Sequence, residues 1–526
     1  AGAPRFSIGV PGKGPPMSDP EQQSSVIVIG AGLGGLAAAC TMAARGHKVT
    51  VLEANDWLGG KAAEWREGGY RFDMGPTILT VPRVLERVFS EAGVDMHERL
   101  DLRRLDPQWR CFFEDGQTLD LEENAERMAQ VLESLCSGDG DGYRDLMEAS
   151  QKLHETSERF FFWKSVGGIS DTMDLRTSFT LATLRDVLRL RMDSTFAREI
   201  RKRIHNPQAA QMLDHLTQYV GSDPFQAPAV LLGIADMQSH DGVWYPMGGT
   251  RAVPEALVRL GEELGVEFRT GIRVQRILTR AGRACGVLTA QGDVLEADVI
   301  VSNMDSVRTM RELLAHVPTA RFERQWKRRK PACSGVVLYL GLDRAYDHLA
   351  HHDFVFSADP EEEFDAIYRR GVPAPDPTCY LAAPSRTDPD VAPEGGEALY
   401  VLVHTPYIHR GQDWQEMFPG YRQVILDKLK RCAGMPDLEE RIRVEHHLTP
   451  LDIQERYSTL RGAIYGLASH GRLNGAFKPA NRSADVPGLY LAGGAAHPGA
   501  GMPMALMSGW IAADCADHDM AEACAS

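Results

Sequence analysis

A short apolar run that leads directly into a cluster of glycines is the feature that most restricts the fold of this chain. Val26–Ile29 predicts a buried parallel strand, and the Ala-rich stretch Gly34–Arg45 predicts a helix. Val49–Glu53 predicts the next strand. A strand, a helix and a second strand in this order form a βαβ unit with a right-handed crossover. The sequence therefore predicts an α/β protein with an open parallel sheet.

The glycines match the pattern G-x-G-x-x-G, and an acidic residue ends the second predicted strand at a suitable distance. Gly30 permits a tight turn, Gly32 leaves room for a pyrophosphate, and Gly35 lets the helix pack closely on the strand, while Gly34 lies within the same loop. The free N–H groups of the helix N-terminus attract phosphate. Glu53 can accept hydrogen bonds from a ribose diol. This context predicts a dinucleotide site.

Composition excludes several other classes of protein. The 526 residues are 43% apolar and carry a formal net charge of -15, so we expect no nucleic-acid partner. The nine cysteines form no CxxC pair, which argues against a zinc site and a disulfide framework and favours a reducing cytoplasm. His351-His352 and His446-His447 are adjacent pairs, and neighbours on a strand point to opposite faces, so no metal site is expected.

The length predicts two or three domains, with one nucleotide-binding domain built from distant segments. Residues 1–16 are predicted to be a tag or linker preceding the start at Met17. The remaining predicted units are a discontinuous nucleotide-binding domain (17–85, 240–305 and 480–520), a helical substrate-binding and membrane-facing segment (86–239), and an inserted mixed α+β substrate-binding domain (306–479). Within these, period-two alternation over Val266–Ser302 predicts an antiparallel meander that ends in a buried strand.

The sequence after Glu53 indicates a flavin. Leu58–Lys61 and Tyr70–Thr77 supply glycines and a proline that suit backbone wrapped around a large planar ligand. The stretch Val26–Thr77 resembles the N-terminus of the flavin amine-oxidase and phytoene-desaturase superfamily. Gly488–Pro503 resembles the C-terminal flavin motif of its carotenoid-desaturase branch, and the resemblance extends over most of Val26–Asp514.

The resemblance implies a Rossmann-like domain that binds FAD. A helix that begins near Met502 would point its N-terminus at the flavin's pyrimidine edge, where negative charge develops on reduction. Together with the four loop glycines and Glu53, the predicted FAD contacts are Ala54, Gly60, Lys61, Gly75, Pro76, Thr77, Val274, Gly493, Gly494, Met502 and Pro503.

The resemblance also implies the chemistry, because carotenoid desaturases pass a hydride to flavin and the electrons on to a quinone or oxygen. His497 is a candidate for contact with the flavin ring or the substrate, with a structural imidazole as the alternative; no other catalytic residue is predicted. Lys61 is either a phosphate or flavin contact or a solvated side chain. The stretches Gly462–Gly471 and Gly493–Gly509 resemble the hydroxycarotenoid 3,4-desaturase branch more than they resemble phytoene desaturases. This favours an already desaturated or oxygenated carotenoid, or a C30 relative, over phytoene as the substrate.

Three other functions compete with a carotenoid desaturase. The first is a carotenoid oxidase or oxygenase of the same superfamily, which adds oxygen at a chain end. The second is a small-amine oxidase, which is disfavoured because such enzymes carry a different C-terminal flavin pattern. The third is a prenyl-binding escort protein without catalysis, which is disfavoured because the chain keeps its flavin-contacting glycines and Glu53.

A carotenoid is nearly insoluble in water, so we expect a cytoplasmic enzyme that is peripherally associated with a membrane. Leu184–Ile204 predicts one amphipathic helix with a net charge of +4, and Phe160–Trp163 just upstream would lie at headgroup depth. The alternative is that the apolar stripe of this helix packs on the protein core.

Overall fold

A parallel sheet organises the first layer of the protein. The computed structural model describes residues 23–168, 194–471 and 475–525; the predicted extension 1–16 lies outside them. The spatial order of the five parallel strands is Glu267–Arg269, Lys48–Leu52, Ser25–Ile29, Val299–Ser302 and Leu489–Leu491. The predicted βαβ unit is therefore confirmed, and the last strand of the predicted meander joins the same sheet.

Both faces of this sheet are covered. On one face the helices Leu33–Ala44 and Met502–Ala525 pack so closely that a Cβ at Gly509 would lie 2.0 Å from the carbonyl oxygen of Gly34. The other face packs on the predicted meander, an antiparallel sheet of Val274–Arg280, Arg283–Thr289 and Val294–Glu296. Small residues on the helices and β-branched residues on the strands bring these layers close together.

A second, seven-stranded sheet forms the other half of the molecule. Its spatial order is Ile442–Leu448, Ser334–Leu342, Glu397–Thr405, Cys379–Ala382, His352–Val355, Trp109–Phe112 and Thr118–Leu121. The predicted helical segment 86–239 is therefore wrong in part, because it supplies two strands of this sheet. Each of these strands is only four residues long, too short for a period-two pattern to stand out between longer helices.

The remaining elements are short sheets and helices that connect the two halves. Glu64–Glu67 pairs with Tyr70–Asp73, and Leu79–Thr80 and Leu102–Arg104 pair with Val243–Pro246. The α-helices are Arg83–Glu91, Ala125–Leu135, Asp139–Phe160, Phe196–Arg201, Pro207–Asp214, Gly233–Asp241, Ala252–Glu263, Ser306–Arg308, Ala320–Trp326, Pro360–Phe364, Trp414–Cys432, Leu438–Arg441 and Pro450–Tyr457.

The predicted interfacial helix Leu184–Ile204 is wrong in the part that the structure describes. Residues 184–193 lie outside the described residues. The described helix spans only Phe196–Arg201, after an extended Thr195 that bridges to Pro228. Phe196, Ile200 and Ile204 are fully buried in a core cluster, so this part of the apolar stripe packs on the protein.

The upstream aromatics are also engaged with the protein. Phe161 packs on Phe477 at 5.3 Å between ring centroids, and Trp163 packs edge-on to Trp510 at 5.4 Å. Over residues 23–168, 194–471 and 475–525, every helix is either too short or too polar to cross a bilayer.

Candidate cofactor and substrate site

A cavity of about 410 Å³ lies between the two sheets and brings the two ends of the chain together. The predicted FAD contacts Gly35 and Pro503 do not line it: a Cβ at Gly35 would lie 2.0 Å from the carbonyl oxygen of Gly30, so this glycine serves helix packing. The other predicted contacts all line it: Gly30, Gly32, Gly34, Glu53, Ala54, Gly60, Lys61, Gly75, Pro76, Thr77, Val274, Gly493, Gly494 and Met502.

The glycine loop forms a close-packed cradle around a residue that the sequence did not single out. Asn303 follows the strand Val299–Ser302 at its carboxyl end, beside the first strand. A Cβ at Gly32 would lie 2.7 Å from Asn303 Nδ2, and a Cβ at Gly60 would lie 2.9 Å from the Cα of Gly32. Because these glycines have no side chains, a ligand can approach the backbone N–H groups of the loop directly. A pyrophosphate fits such a groove. The position of Asn303 at the carboxyl edge of a parallel strand is the signal that could have identified it.

The carboxylate of Glu53 is tied to the backbone of this loop. Its Oε2 accepts a hydrogen bond from Ala31 N at 2.8 Å, and its Oε1 accepts one from Asn55 N at 2.9 Å. The side chain is buried yet lines the cavity. Because a carboxylate offers about four lone-pair sites, the remaining ones can accept from a ribose diol. Glu53 thus fits its predicted role and also holds the loop in shape.

The C-terminal motif supplies a helix N-terminus to the same cavity. The helix begins at Met502, and Gly501, Met502 and Ala505 line the cavity. The unpaired N–H groups of the first turn carry a partial positive charge, so this end favours an electron-rich ligand ring. The site as a whole fits FAD: a glycine cradle, a ribose acceptor and a second helix N-terminus line one cavity.

Lys61 and His497, which the sequence singled out, and Asp73, which lies in the stretch Tyr70–Thr77, have definite partners. Lys61 lines the cavity and its Nζ donates to the carbonyl oxygen of Ile464 at 2.8 Å; burial lowers its pKa to about 8 against the opposing effect of Asp305. Asp73 accepts from Thr250 N at 2.9 Å, and burial raises its pKa to about 6. It therefore orients a turn at Thr250. His497 does not line the cavity; its Nε2 lies 2.7 Å from the carbonyl oxygen of Phe161.

The half of the cavity nearer the seven-stranded sheet is lined by aromatic and aliphatic side chains. We call this half the aromatic arm, and define it by Trp109, Tyr219, Val337, Phe354, Tyr380, Tyr400, Leu402, Leu448 and Ile453. The charged residues among the cavity-lining residues, Glu53, Lys61, Arg273 and Asp305, belong to the cofactor half, so within the described parts of the chain no Asp, Glu, Lys or Arg lines the arm. His215 and His404 also line it, and burial lowers their pKa values to about 3 and about 4, so both are neutral. An arm of this kind suits an uncharged, apolar ligand.

A chain of hydrogen bonds connects the cofactor half to the aromatic arm. Thr77 Oγ1 lies 2.5 Å from the hydroxyl of Tyr380, which lies 2.9 Å from His352 Nδ1. Burial holds the pKa of Tyr380 well above its usual range, so its hydroxyl stays protonated. Sequence reasoning missed Tyr380, because its strand Cys379–Ala382 approaches Thr77 only through the tertiary fold.

The fold and site define a dinucleotide-dependent oxidoreductase with an apolar substrate arm. Residues 33–516 match the family described as flavin containing amine oxidoreductase, and the chain belongs to this family. It is accordingly an oxidoreductase with FAD as its cofactor. The resemblance to the flavin amine-oxidase and phytoene-desaturase superfamily is confirmed.

Similar proteins cover nearly the whole chain. A 4,4'-diapolycopene oxygenase of Methylomonas sp is 39% identical, over 93% of this chain and 97% of its own length. A 4,4'-diaponeurosporene oxygenase of Staphylococcus aureus is 36% identical over the same shares. Among solved structures, an oxidoreductase from Methanosarcina mazei superposes with a TM-score of 0.61 at 17% identity (92% of this chain, 98% of that chain). A putrescine oxidase variant superposes with a TM-score of 0.60 at 16% identity (94% and 99%). These two likenesses concern the fold alone.

Proposed function

We propose that the protein oxidises a linear carotenoid at a chain end with FAD as the electron acceptor. The observation that carries this proposal is the aromatic arm, which opens into the cofactor half of one cavity and offers no charged side chain in the described residues. Two relatives that match this chain over 97% of their own length are named 4,4'-diapolycopene oxygenase and 4,4'-diaponeurosporene oxygenase, which supports the same substrate class and the addition of oxygen.

The residues of this chain bind and orient the reactants. Bound FAD supplies the two-electron acceptor. The glycine loop would hold its phosphates, and the N-terminus of the helix from Met502 would favour its electron-rich ring edge. Rings such as Phe354 and Tyr400 lie across the arm and hold a flat polyene away from water. The described residues of the arm include no carboxylate that could pair with an ammonium group, so the arm disfavours a cationic amine.

Desaturation is the second candidate function. The glycines and histidine of Gly493–Pro503 match the pattern of the carotenoid-desaturase branch, and this supports removal of two hydrogens without addition of oxygen. With FAD as the electron acceptor, desaturation and a chain-end oxidation that takes its oxygen from water are both two-electron oxidations of an extended polyene, so the same arm serves either of them. The final electron acceptor, a quinone or oxygen, stays a prediction.

Product mass separates the two candidates. Flavin-loaded protein would be incubated with the hydrocarbon 4,4'-diapolycopene or its more saturated C30 precursors in vesicles, in parallel samples with ¹⁸O₂ and with H₂¹⁸O. A product that carries one oxygen from H₂¹⁸O supports chain-end oxidation with FAD as the electron acceptor. One oxygen from ¹⁸O₂ would require a separate reductant and would contradict FAD as the electron acceptor. A product lighter by two hydrogens supports desaturation. Unchanged carotenoid, with flavin that stays oxidised under anaerobic conditions, would contradict both.

We further propose that the enzyme contacts an anionic membrane through an exposed basic cluster, which we define as Arg324, Lys327, Arg328 and Lys330. All four are exposed, and none forms an ion pair with another described residue, although the whole chain carries a net charge of -15. Buried Phe322 and Trp326 fix the helix Ala320–Trp326, which carries Arg324 and leads directly into the other three residues.

The cluster lies next to the segment that leads into the cavity. Ala468 N donates to the carbonyl oxygen of Lys330 at 2.9 Å, and Tyr465 and Gly466, a few residues earlier, line the cavity. A bilayer held at this cluster would therefore face a cavity-lining segment. Each cation near anionic lipid contributes about 1 kcal/mol of attraction.

A further inference from the structure

His215 differs from the other buried histidines in the described part of the chain. Each of the others has a ring nitrogen within hydrogen-bond distance of a partner: His47 of Asp517, His154 of Asp236, His351 of Thr387, His352 of Tyr380, His404 of Tyr465, and His497 of the Phe161 carbonyl. His215 is only 7% exposed and lines the cavity, and neither of its ring nitrogens has a hydrogen-bond partner among the described residues.

The ring of His215 is fixed by its aromatic neighbours. It packs edge-on to Phe354 at 4.6 Å, to Phe356 at 5.3 Å and to Trp109 at 6.3 Å between centroids. Its backbone belongs to a 3₁₀ helix, His215–Val220, that also brings Gln218 to the cavity. These contacts hold the position of the His215 ring. All three neighbours are aromatic rings that pack against it, and none of them is a hydrogen-bond partner for its nitrogens.

The electrostatic surroundings keep this imidazole neutral. Burial lowers its pKa to about 3, and the facing titratable group, His404, is neutral as well. A neutral imidazole offers one N–H donor and one nitrogen acceptor. Gln218 adds a second unsatisfied group, because its Oε1 is buried without a partner while its Nε2 donates to Ser222 O at 2.9 Å. Unpaired buried polar groups reduce stability unless water or a ligand supplies the missing bonds, and a group that lines a cavity is accessible to both.

We propose that His215 binds an oxygen atom, as hydroxyl or carbonyl, carried by the isoprenoid in the aromatic arm. This inference rests on the proposed function, because it assumes an isoprenoid in that arm. His215 donates to a carbonyl, or either donates to or accepts from a hydroxyl, and a pure hydrocarbon leaves it unpaired. The arm should therefore bind a linear isoprenoid that carries oxygen more tightly than the hydrocarbon from which it derives.

A binding experiment on the flavin-loaded protein tests this without turnover. The probes are radiolabelled geranylgeraniol and the C20 hydrocarbon in which its CH2OH group is CH3, both in mixed micelles. One net hydrogen bond gives the wild type a preference of about fivefold for the alcohol. His215→Phe should abolish that preference and leave hydrocarbon affinity within about twofold. His215→Gln, which keeps a donor and an acceptor, should retain part of the preference.

The control is His351→Phe, which removes a buried neutral imidazole that does not line this cavity, and it should keep the full preference. Flavin content and thermal unfolding show which variants are folded. If His215→Phe does not fold, loss of the preference in His215→Leu with retention in His215→Gln decides the matter. A preference unchanged by His215→Phe, or absent in the wild type while both probes bind, overturns the polar subsite alone. Failure of both probes to bind the wild type overturns the proposed isoprenoid function together with it.

Discussion

The backbone nitrogen of Gly493 lies 2.6 Å from the point that a Cβ of Gly34 would occupy. The two glycines belong to opposite ends of the chain, one to the N-terminal glycine loop and the other to the C-terminal motif. Asn303 lies between them, because a Cβ at Gly493 would lie 2.4 Å from its Oδ1. The cofactor half of the cavity therefore exists only when both ends of the chain are in place.

Gly34→Ala should disrupt this contact and release FAD. The added methyl would overlap Gly493 N, Gly493 Cα and Asn303 Oδ1, all backbone or fixed atoms that have no free path away. We expect a loss of roughly 1–3 kcal/mol in the free energy of unfolding and a fall in flavin content after gel filtration. The matched control is Gly420→Ala, in the helix Trp414–Cys432, where nothing lies within 4 Å of the new methyl. Equal flavin content in the two variants would contradict the proposed contact.

Glu53→Ala should weaken FAD binding by two routes. It removes the acceptor for the ribose and also the two bonds that hold Ala31 N and Asn55 N. Bonds to a charged acceptor contribute about 1.5–3 kcal/mol, so the dissociation constant should rise at least tenfold. Flavin fluorescence on dilution measures it. Glu67→Ala, an exposed glutamate at the end of a hairpin strand, serves as the control and should leave it unchanged. Wild-type affinity in Glu53→Ala would refute the role of this residue.

The cofactor half was predictable from sequence because its determinants are local. Gly30, Gly32 and Glu53 act within one βαβ unit, where strand and helix periods determine which residues meet. Asn303 and Tyr380 escaped prediction because the contacts that bring them to the cavity are distant in sequence. The strand before Asn303 pairs with Ser25–Ile29, and the Tyr380 hydroxyl meets Thr77, 303 residues earlier, so no local pattern encodes either contact. The Leu184–Ile204 prediction failed in its described part for a related reason: an apolar stripe at helical spacing is the same whether it meets lipid or core.

Lys478 should make stability depend on pH. It is buried beside Gly499, its Nζ donates to the carbonyl of Leu467, and burial lowers its pKa from 10.5 to about 7. Within the described ranges no carboxylate pairs with it. Between pH 7 and 10.5 the unfolded chain binds the proton that the folded chain has released, so the stability contributed by this group rises with pH across that window. Below pH 7 the folded protein carries the full cost of a buried charge.

Lys478→Met removes that cost. Relative to wild type, we expect the variant to be roughly 1–3 kcal/mol more stable at pH 6, with the difference shrinking as the pH approaches 10. Guanidinium titrations of flavin-loaded protein at both pH values measure this. Lys48→Met, at an exposed strand start, should show no such pH-dependent difference. A stability difference that is the same at both pH values would exclude a lowered pKa of Lys478 in the folded protein.

The basic cluster makes the membrane contact testable by charge reversal. Lys327→Glu, Arg328→Glu and Lys330→Glu together should reduce binding to vesicles of phosphatidylcholine and phosphatidylglycerol by at least a hundredfold, because three attractions of about 1 kcal/mol become repulsions. Wild-type binding should itself fall steeply at high salt, since exposed charges are screened. Liposome flotation, with flavin content as the check on folding, measures both effects.

A control triple variant places the same charge change on another face. Arg276, Arg280 and Arg283 are exposed on the small antiparallel sheet, and their replacement by Glu should leave flotation largely intact. Equal loss in both triple variants would mean that overall charge, and not the cluster, governs binding. Replacement of Arg185 and Arg189 by Glu tests the earlier-predicted segment independently. If that variant alone stopped floating, the membrane contact would belong to the segment 184–193 and the proposed cluster would be wrong.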